Sequence, residues 1–216
     1  MNIRSEILRY MGHKGEADNQ LEELVTSCLE KFIPVCTPRH VIILLPCTVK
    51  EDCVLIDTLS INSADLTAHL SGCTQAYIFA ATLGTAVDRL IAQRTKVDSA
   101  EALCLQACAA ALIEDYCNGI LELLSHEAEE QGLYLCPRFS PGYGDFDIVH
   151  QTDILRLLEA HKRIGLSETK AHMLAPLKSV TAIIGAGERT AVHAAHKCNC
   201  CCNRDCAFQM EKGPDQ

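Results

Sequence analysis

Residues 138–145 read Arg138-Phe139-Ser140-Pro141-Gly142-Tyr143-Gly144-Asp145. Proline fixes φ and lacks a backbone donor, and glycine populates φ values that other residues avoid, so this stretch is neither helix nor regular strand. It is a shaped loop. Taken from the residues alone, it is either an ordered turn or a rigid recess for a ligand. Arg138 presents a planar fork of donors that matches a carboxylate. Gly142 lets a ligand approach the backbone closely. Tyr143 offers a hydroxyl and an aromatic face, and such a face attracts a cation. The set suits a small zwitterion that carries additional positive charge.

Working outward, the chain on the N-terminal side of the loop holds the strongest helical pattern, from about Ser99 to Leu124. Asp98 and Glu101 have the spacing of a capping box. Leu103, Ala107, Ala110, Ile113, Cys117, Ile120 and Leu124 then recur every three or four residues. At 1.5 Å per residue this helix is roughly 39 Å long, enough to cross a domain, and its alanines permit close packing. Further upstream, residues 1–33 read as helical with a break at Gly12 and Gly15. His40–Leu45 and Val54–Leu59 read as strands joined through Pro46–Asp52, Ala76–Ala81 as a buried strand, and Thr85–Arg94 as a short helix. Gly132–Pro137 is a short β-like run before the loop. Downstream, Thr152–Ile164 reads as one helix with Gly165 as its C′ residue. Lys170–Leu174 and Ser179–Gly185 read as strands joined around Pro176.

The loop together with its downstream spacing carries a resemblance. The sequence RFSPGYGD, a helix, Arg163-Ile164-Gly165-Leu166, Met173, Pro176 and Ser179-Val180-Thr181-Ala182 resemble the activation (reactivation) domain of cobalamin-dependent methionine synthase. That family carries R-x-x-P-G-Y, a helix ending near K-x-x-G, and an M-x-P-x-x-S-V-S hairpin. Ala81-Thr82-Leu83-Gly84 and the long helix are similar to short stand-alone members. The resemblance spans about residues 1–187 and implies a C-shaped α+β fold. Its parts would be a twisted, mainly antiparallel sheet, flanking helices and one long central helix. It also implies binding of S-adenosylmethionine and a role in the reductive methylation of cob(II)alamin. The cobalamin would be carried by a partner, a methionine synthase or other corrinoid methyltransferase, and the electron would come from a flavodoxin-like or ferredoxin-like donor. On this pattern Arg138 binds the methionyl carboxylate, and Ser140 and Gly142 present backbone to the ligand. Tyr143, the one residue assigned a catalytic place, sits near the sulfonium or the cobalamin face.

Two departures from the family pattern stand out. The family's long helix supplies an acidic ligand residue, and the matching position here is an alanine, Ala110. Glu114, one turn further on, is the nearest acid, and its simplest reading is a solvated helix residue. The family hairpin is also followed by an aromatic stretch with a ligand-contacting tyrosine, where this chain has Gly185-Ala186-Gly187-Glu188.

The 216 residues, of which 48% are hydrophobic and 22% charged, are enough for one domain with a real core. The net charge of −9 argues against general nucleic-acid binding, which needs clustered Lys and Arg. The longest apolar runs, Val41–Cys47 and Ala76–Leu83, fall short of the ~18–20 residues of a membrane span. The N-terminus shows no signal-peptide pattern, so the expected location is the cytoplasm.

The abnormal count is 14 cysteines. Nine are scattered, several on apolar faces where a thiol behaves as a small hydrophobe. The other five, Cys198, Cys200, Cys201, Cys202 and Cys206, fall within nine residues and follow His193 and His196. Thiolates this dense suit a tetrahedral zinc, an iron–sulfur cluster or a metal-free thiol relay, and their spacing matches neither a zinc ribbon nor the common ferredoxin run. The expected division is therefore an activation-like domain over 1–187 and a Cys/His-rich tail over 188–216. The alternative function is a non-enzymatic metal- or iron–sulfur-binding protein on the same fold.

Overall fold

The computed structural model describes residues 2–15 and 17–188. The cysteine-rich tail, with His193 and His196, lies outside them.

The sheet forms around two apolar strands that are buried on both faces. They are β4 (Cys73–Thr82) and β8 (Ser179–Glu188), which pair antiparallel from Thr82↔Ser179 to Cys73↔Gly187. Side chains alternate across a strand. Tyr77, Phe79 and Ala81 therefore enter one core with Ala182 and Ile184, while Ala76, Ile78 and Ala80 enter a second with Ile183. Burial on both sides is why Ala76–Ala81 reads as a continuous apolar run. β1 (Arg39–Val49), β2 (Val54–Ile56), β3 (Leu59–Ile61) and β5 (Leu133–Leu135) complete a six-stranded antiparallel sheet of order β3-β2-β1-β4-β8-β5.

Four helices cover the first face: α1 (Ile3–Tyr10), α2 (Asn19–Phe32), α4 (Thr85–Arg94) and α5 (Ser99–Glu130). α5 is the central one, packing against α1, α2 and α4. The second face carries the β2–β3 hairpin, α3 (Ala64–His69), α6 (Gln151–Leu157) and α7 (Ala160–Ile164). A two-stranded sheet, β6 (Ser167–Glu168) with β7 (Leu174–Ala175), leads into β8. The α+β class, the antiparallel sheet, the flanking helices and the long central helix are all as expected. No helix of the described residues is long and apolar enough to cross a membrane.

Several boundaries differ from the sequence reading, each for a local reason. Val54–Leu59 is two strands, because Asp57 takes φ +50° and turns the chain between Ile56 and its partner Leu59. β1 runs through Pro46 to Val49. Its partner changes at the proline, with residues 39–46 pairing with β4 and 47–49 with β2. α5 extends past Leu124 to 32 residues, ~48 Å, because Ala128 continues the buried stripe. Asp98 caps it, accepting from the backbone N–H groups of Ala100 and Glu101. Glu101 does not close a capping box; its carboxylate pairs with Lys31 at 2.6 Å. The helix expected over 152–164 breaks at Glu159, which has φ +50°. In a straight helix Leu158 and Ala160 would point about 200° apart, yet both are fully buried in the same core. Most of Lys170–Leu174 is a turn, closed by Thr169 N–H donating to the Met173 carbonyl at 2.8 Å, with His172 at φ +56°. α3, absent from the sequence reading, starts at Ser63, whose hydroxyl accepts from Leu66 N–H.

Candidate functional site

The site loop is held at both ends. At its start, Phe139 forms a bridge to Ile183 of β8, with backbone hydrogen bonds of 2.9 and 2.8 Å in the two directions. The Phe139 ring then packs into the second core, near His69, Tyr143 and Phe146. Strand alternation sends Arg138 to the opposite face, toward α5. Inside the loop, Gly142 N–H donates to the Phe146 carbonyl at 2.7 Å, and Gly142 and Gly144 both have positive φ. At the far end, Asp145 accepts from the Ser63 hydroxyl, from Ala64 N–H at 2.7 Å and from Asp65 N–H at 3.1 Å. Asp65 in turn accepts from Asp145 N–H at 3.1 Å. A methyl group at Gly144 would fall 2.0 Å from Asp65 Oδ2, so only glycine fits beside this reciprocal clasp. These donors hold the Asp145 carboxyl below its ordinary value, the Ser63 hydroxyl most of all. Asp145 is thus an anchor of the loop.

The guanidinium of Arg138 is buried, with 3% of its side chain exposed. Its Nη2 donates to Glu114 Oε2 at 2.8 Å and to Asn118 Oδ1 at 2.8 Å. Glu114 and Asn118 are four apart on α5 and so share one helix face. The Nε of Arg138 is buried and has no hydrogen-bond partner among the described residues. A buried N–H left in this condition is costly, and it gives the site an acceptor-seeking group beside an ion pair.

Arg138 and Glu114 line a cavity of about 200 Å³, together with Ser140, Pro141 and Tyr143 of the loop. Its other wall is Gln151, Leu174 and the first residues of β8, Ser179, Val180 and Thr181. Gln151 fixes that wall: its side-chain amide donates to the His172 carbonyl at 2.6 Å and accepts from the Thr181 hydroxyl at 3.0 Å. Tyr143 is half exposed. Its phenol is pushed above the ordinary value, first by partial desolvation and then by the charge of Glu114, against an opposing effect from Arg138. It is therefore neutral near pH 7 and available as a donor.

The structure thus brings together four of the five residues expected at the ligand site: Arg138, Ser140, Tyr143 and Glu114. Gly142 lies in the loop but outside the cavity lining, and a methyl group there would meet Ile148 Cδ1 at 3.5 Å. Glu114, whose simplest reading was a solvated acid, is paired to Arg138; Ala110 is not part of the lining. The sequence reading missed Asn118 and Gln151. Asn118 was findable one turn beyond Glu114, whereas Gln151 had no signal beyond its place at the start of a helix. Cys198, Cys200, Cys201, Cys202 and Cys206, the expected metal ligands, lie outside the described residues. Among the described residues no group of three or more metal-ligating side chains comes together.

No family model and no curated protein matches this chain. Among solved structures it is similar to the MetH reactivation domain bound to AdoHcy, with a TM-score of 0.62 at 18% identity. The match covers 81% of this chain and 68% of that one. The shared fold is that of the reactivation domain.

Proposed function

We propose that the cavity binds S-adenosylmethionine, and that the chain serves as a reactivation module for a corrinoid methyltransferase. The carrying observation is the buried, unpartnered Nε of Arg138 beside the Arg138–Glu114 pair. Together they offer a donor for a carboxylate and an acceptor for an ammonium within one recess. An amino-acid headgroup carries both charges. The likeness to a domain solved with AdoHcy supports the same ligand class.

When bound, S-adenosylmethionine supplies a sulfonium-borne methyl group. The chain's own part is to hold it. Arg138 takes the carboxylate, Glu114 faces the ammonium, Ser140 and Pro141 contribute backbone, and neutral Tyr143 lies at the mouth. A cavity of about 200 Å³ is small for a nucleoside ligand, since such sites commonly span ~300–1,000 Å³. The amino-acid end fills it, and the adenosyl end lies on the open side. A corrinoid-carrying partner docks on the same side, where Tyr143, Ile148, Val149 and Met173 expose apolar surface. The electron comes from a separate flavodoxin-like or ferredoxin-like donor. Calorimetric titration of the protein with S-adenosylmethionine and S-adenosylhomocysteine tests the reading. Saturable binding of either supports it, and no heat with both at millimolar ligand removes it.

A second reading rests on five cysteines within nine residues of sequence. In it, Cys198–Cys206 bind zinc or an iron–sulfur cluster, and the fold is a platform for that centre. The two readings separate cleanly: metal content without nucleoside binding favours the second.

A further inference from the structure

Three thiols lie in the second core near the start of the site loop: Cys47, Cys73 and Cys136. Two of them meet. Cys73 Sγ is 3.5 Å from Cys136 Sγ, and both residues are buried. They stand on either side of β8. Cys73 is the first residue of β4 and pairs with Gly187, whereas Cys136 follows β5 and donates its backbone N–H to the Gly185 carbonyl at 2.8 Å. Between them Gly185 contributes no side chain. A methyl group there would lie 2.5 Å from Cys73 Sγ and 2.6 Å from Leu70 Cδ2, so this glycine is what leaves room for the sulfurs.

We propose that Cys73 and Cys136 form a reversible disulfide, and that closing it displaces the start of the site loop. The oxidant is a small hydroperoxide. The Cys136 thiolate attacks the peroxide O–O bond, giving a sulfenic acid and releasing an alcohol or water. The Cys73 thiol then displaces the hydroxyl, forming the S–S bond and releasing water. Two thiols lose two electrons and two protons, and one hydroperoxide is reduced. A dithiol reductant reverses the step. The contact with Cys73, in which either sulfur can donate, lowers the Cys136 value. The pair lies one residue below the surface: Gly72 and Thr74 beside Cys73 are exposed, and Leu135 and Pro137 beside Cys136 are half-buried.

An S–S bond is ~2.05 Å long, and bridging two cysteines on strands that flank a third requires backbone movement. β4 pairs with β8 as far as Cys73, with a register shift between Cys73 and Gln75, and with β1 from Gln75 onward. Arg138 is two residues beyond Cys136, so movement of the chain at Cys136 reaches the start of the site loop. Disulfides that carry such strain are the labile, regulatory kind.

The test uses the full chain with the five tail cysteines replaced by serine, so that only the scattered thiols report. After stoichiometric hydrogen peroxide, quenching with alkylating agent and proteolysis, mass spectrometry should find one peptide joining Cys73 to Cys136. It should be lost on dithiothreitol treatment and absent in Cys73→Ser and in Cys136→Ala. Amide hydrogen exchange over residues 136–146 should change on oxidation. Separate alkylation of both thiols after peroxide treatment, or oxidation of Cys136 without a cross-link, overturns the proposal. A cross-link that leaves exchange over 136–146 unchanged overturns the displacement. None of these readouts depends on S-adenosylmethionine binding.

Discussion

Asp145 Oδ2 accepts the backbone N–H of Ala64 at 2.7 Å, joining the end of the site loop to the start of α3 across 81 residues of chain. With the Ser63 hydroxyl and Asp65 N–H on the same carboxylate, this is a helix cap supplied by a distant loop. Asp145→Ala should therefore loosen both partners at once: a lower melting temperature, and faster amide exchange over α3 and over 138–146. Exchange confined to α3 would show that the loop holds itself.

The same contact fixes a pH dependence. The folded Asp145 carboxyl titrates below the ordinary 3.8, so its contribution is fully present above that value. It is lost as pH falls through the folded value. Asp145→Asn should flatten the acid end of the stability profile below about pH 4, leaving the neutral range otherwise parallel to wild type. An unchanged acid limb would assign acid sensitivity to other carboxylates.

Arg138→Ala removes a charge-assisted hydrogen bond of about 1.5–3 kcal/mol. S-adenosylmethionine affinity should fall roughly 10- to 150-fold while the circular dichroism spectrum is retained. Arg138→Lys should not restore it, since an ammonium cannot reach Glu114, Asn118 and the ligand as a planar fork does. Wild-type affinity in the alanine variant would reduce Arg138 to a structural residue.

Glu114→Gln leaves the buried guanidinium without its counter-charge. It should cost on the order of 1–3 kcal/mol of stability, read as a lower denaturation midpoint. The phenol of Tyr143 should titrate at lower pH, because the Glu114 charge that raises it is gone. A spectrophotometric titration that shows no such movement would separate Tyr143 from the Arg138–Glu114 pair.

Much of this was legible in the sequence because it is local. Pro141, Gly142 and Gly144 announce the loop, Asp98 announces the start of α5, and the apolar run at Ala76–Ala81 announces a strand buried on both faces. What was hidden depends on tertiary partners. Glu101 has capping-box spacing, but Lys31 on another helix takes its carboxylate. Nothing in the sequence around Asp145 shows that it caps α3, which starts 81 residues earlier. Glu114 sits one turn from the family position, and only the course of Arg138 off β8 decides that the two meet. The break at Glu159 is equally invisible in a window of sequence, since it follows from Leu158 and Ala160 sharing one core.

The five clustered cysteines, from Cys198 to Cys206, should bind metal independently of the nucleoside site. Thiols bind metal as thiolates, so uptake releases protons and weakens at acid pH. Full-length protein prepared without oxygen, and reconstituted with zinc or with iron and sulfide, should hold metal. The variant with these five cysteines changed to serine should not. S-adenosylmethionine affinity should be equal in the two, because the substitutions leave Arg138, Glu114 and the loop residues of the cavity unchanged. Near-zero metal in both proteins would sink the metal reading and leave a thiol relay or a tail with no chemical role. Equal metal in both would move the ligands to the scattered cysteines. A loss of nucleoside affinity in the serine variant would join the two sites, which the independent reading forbids.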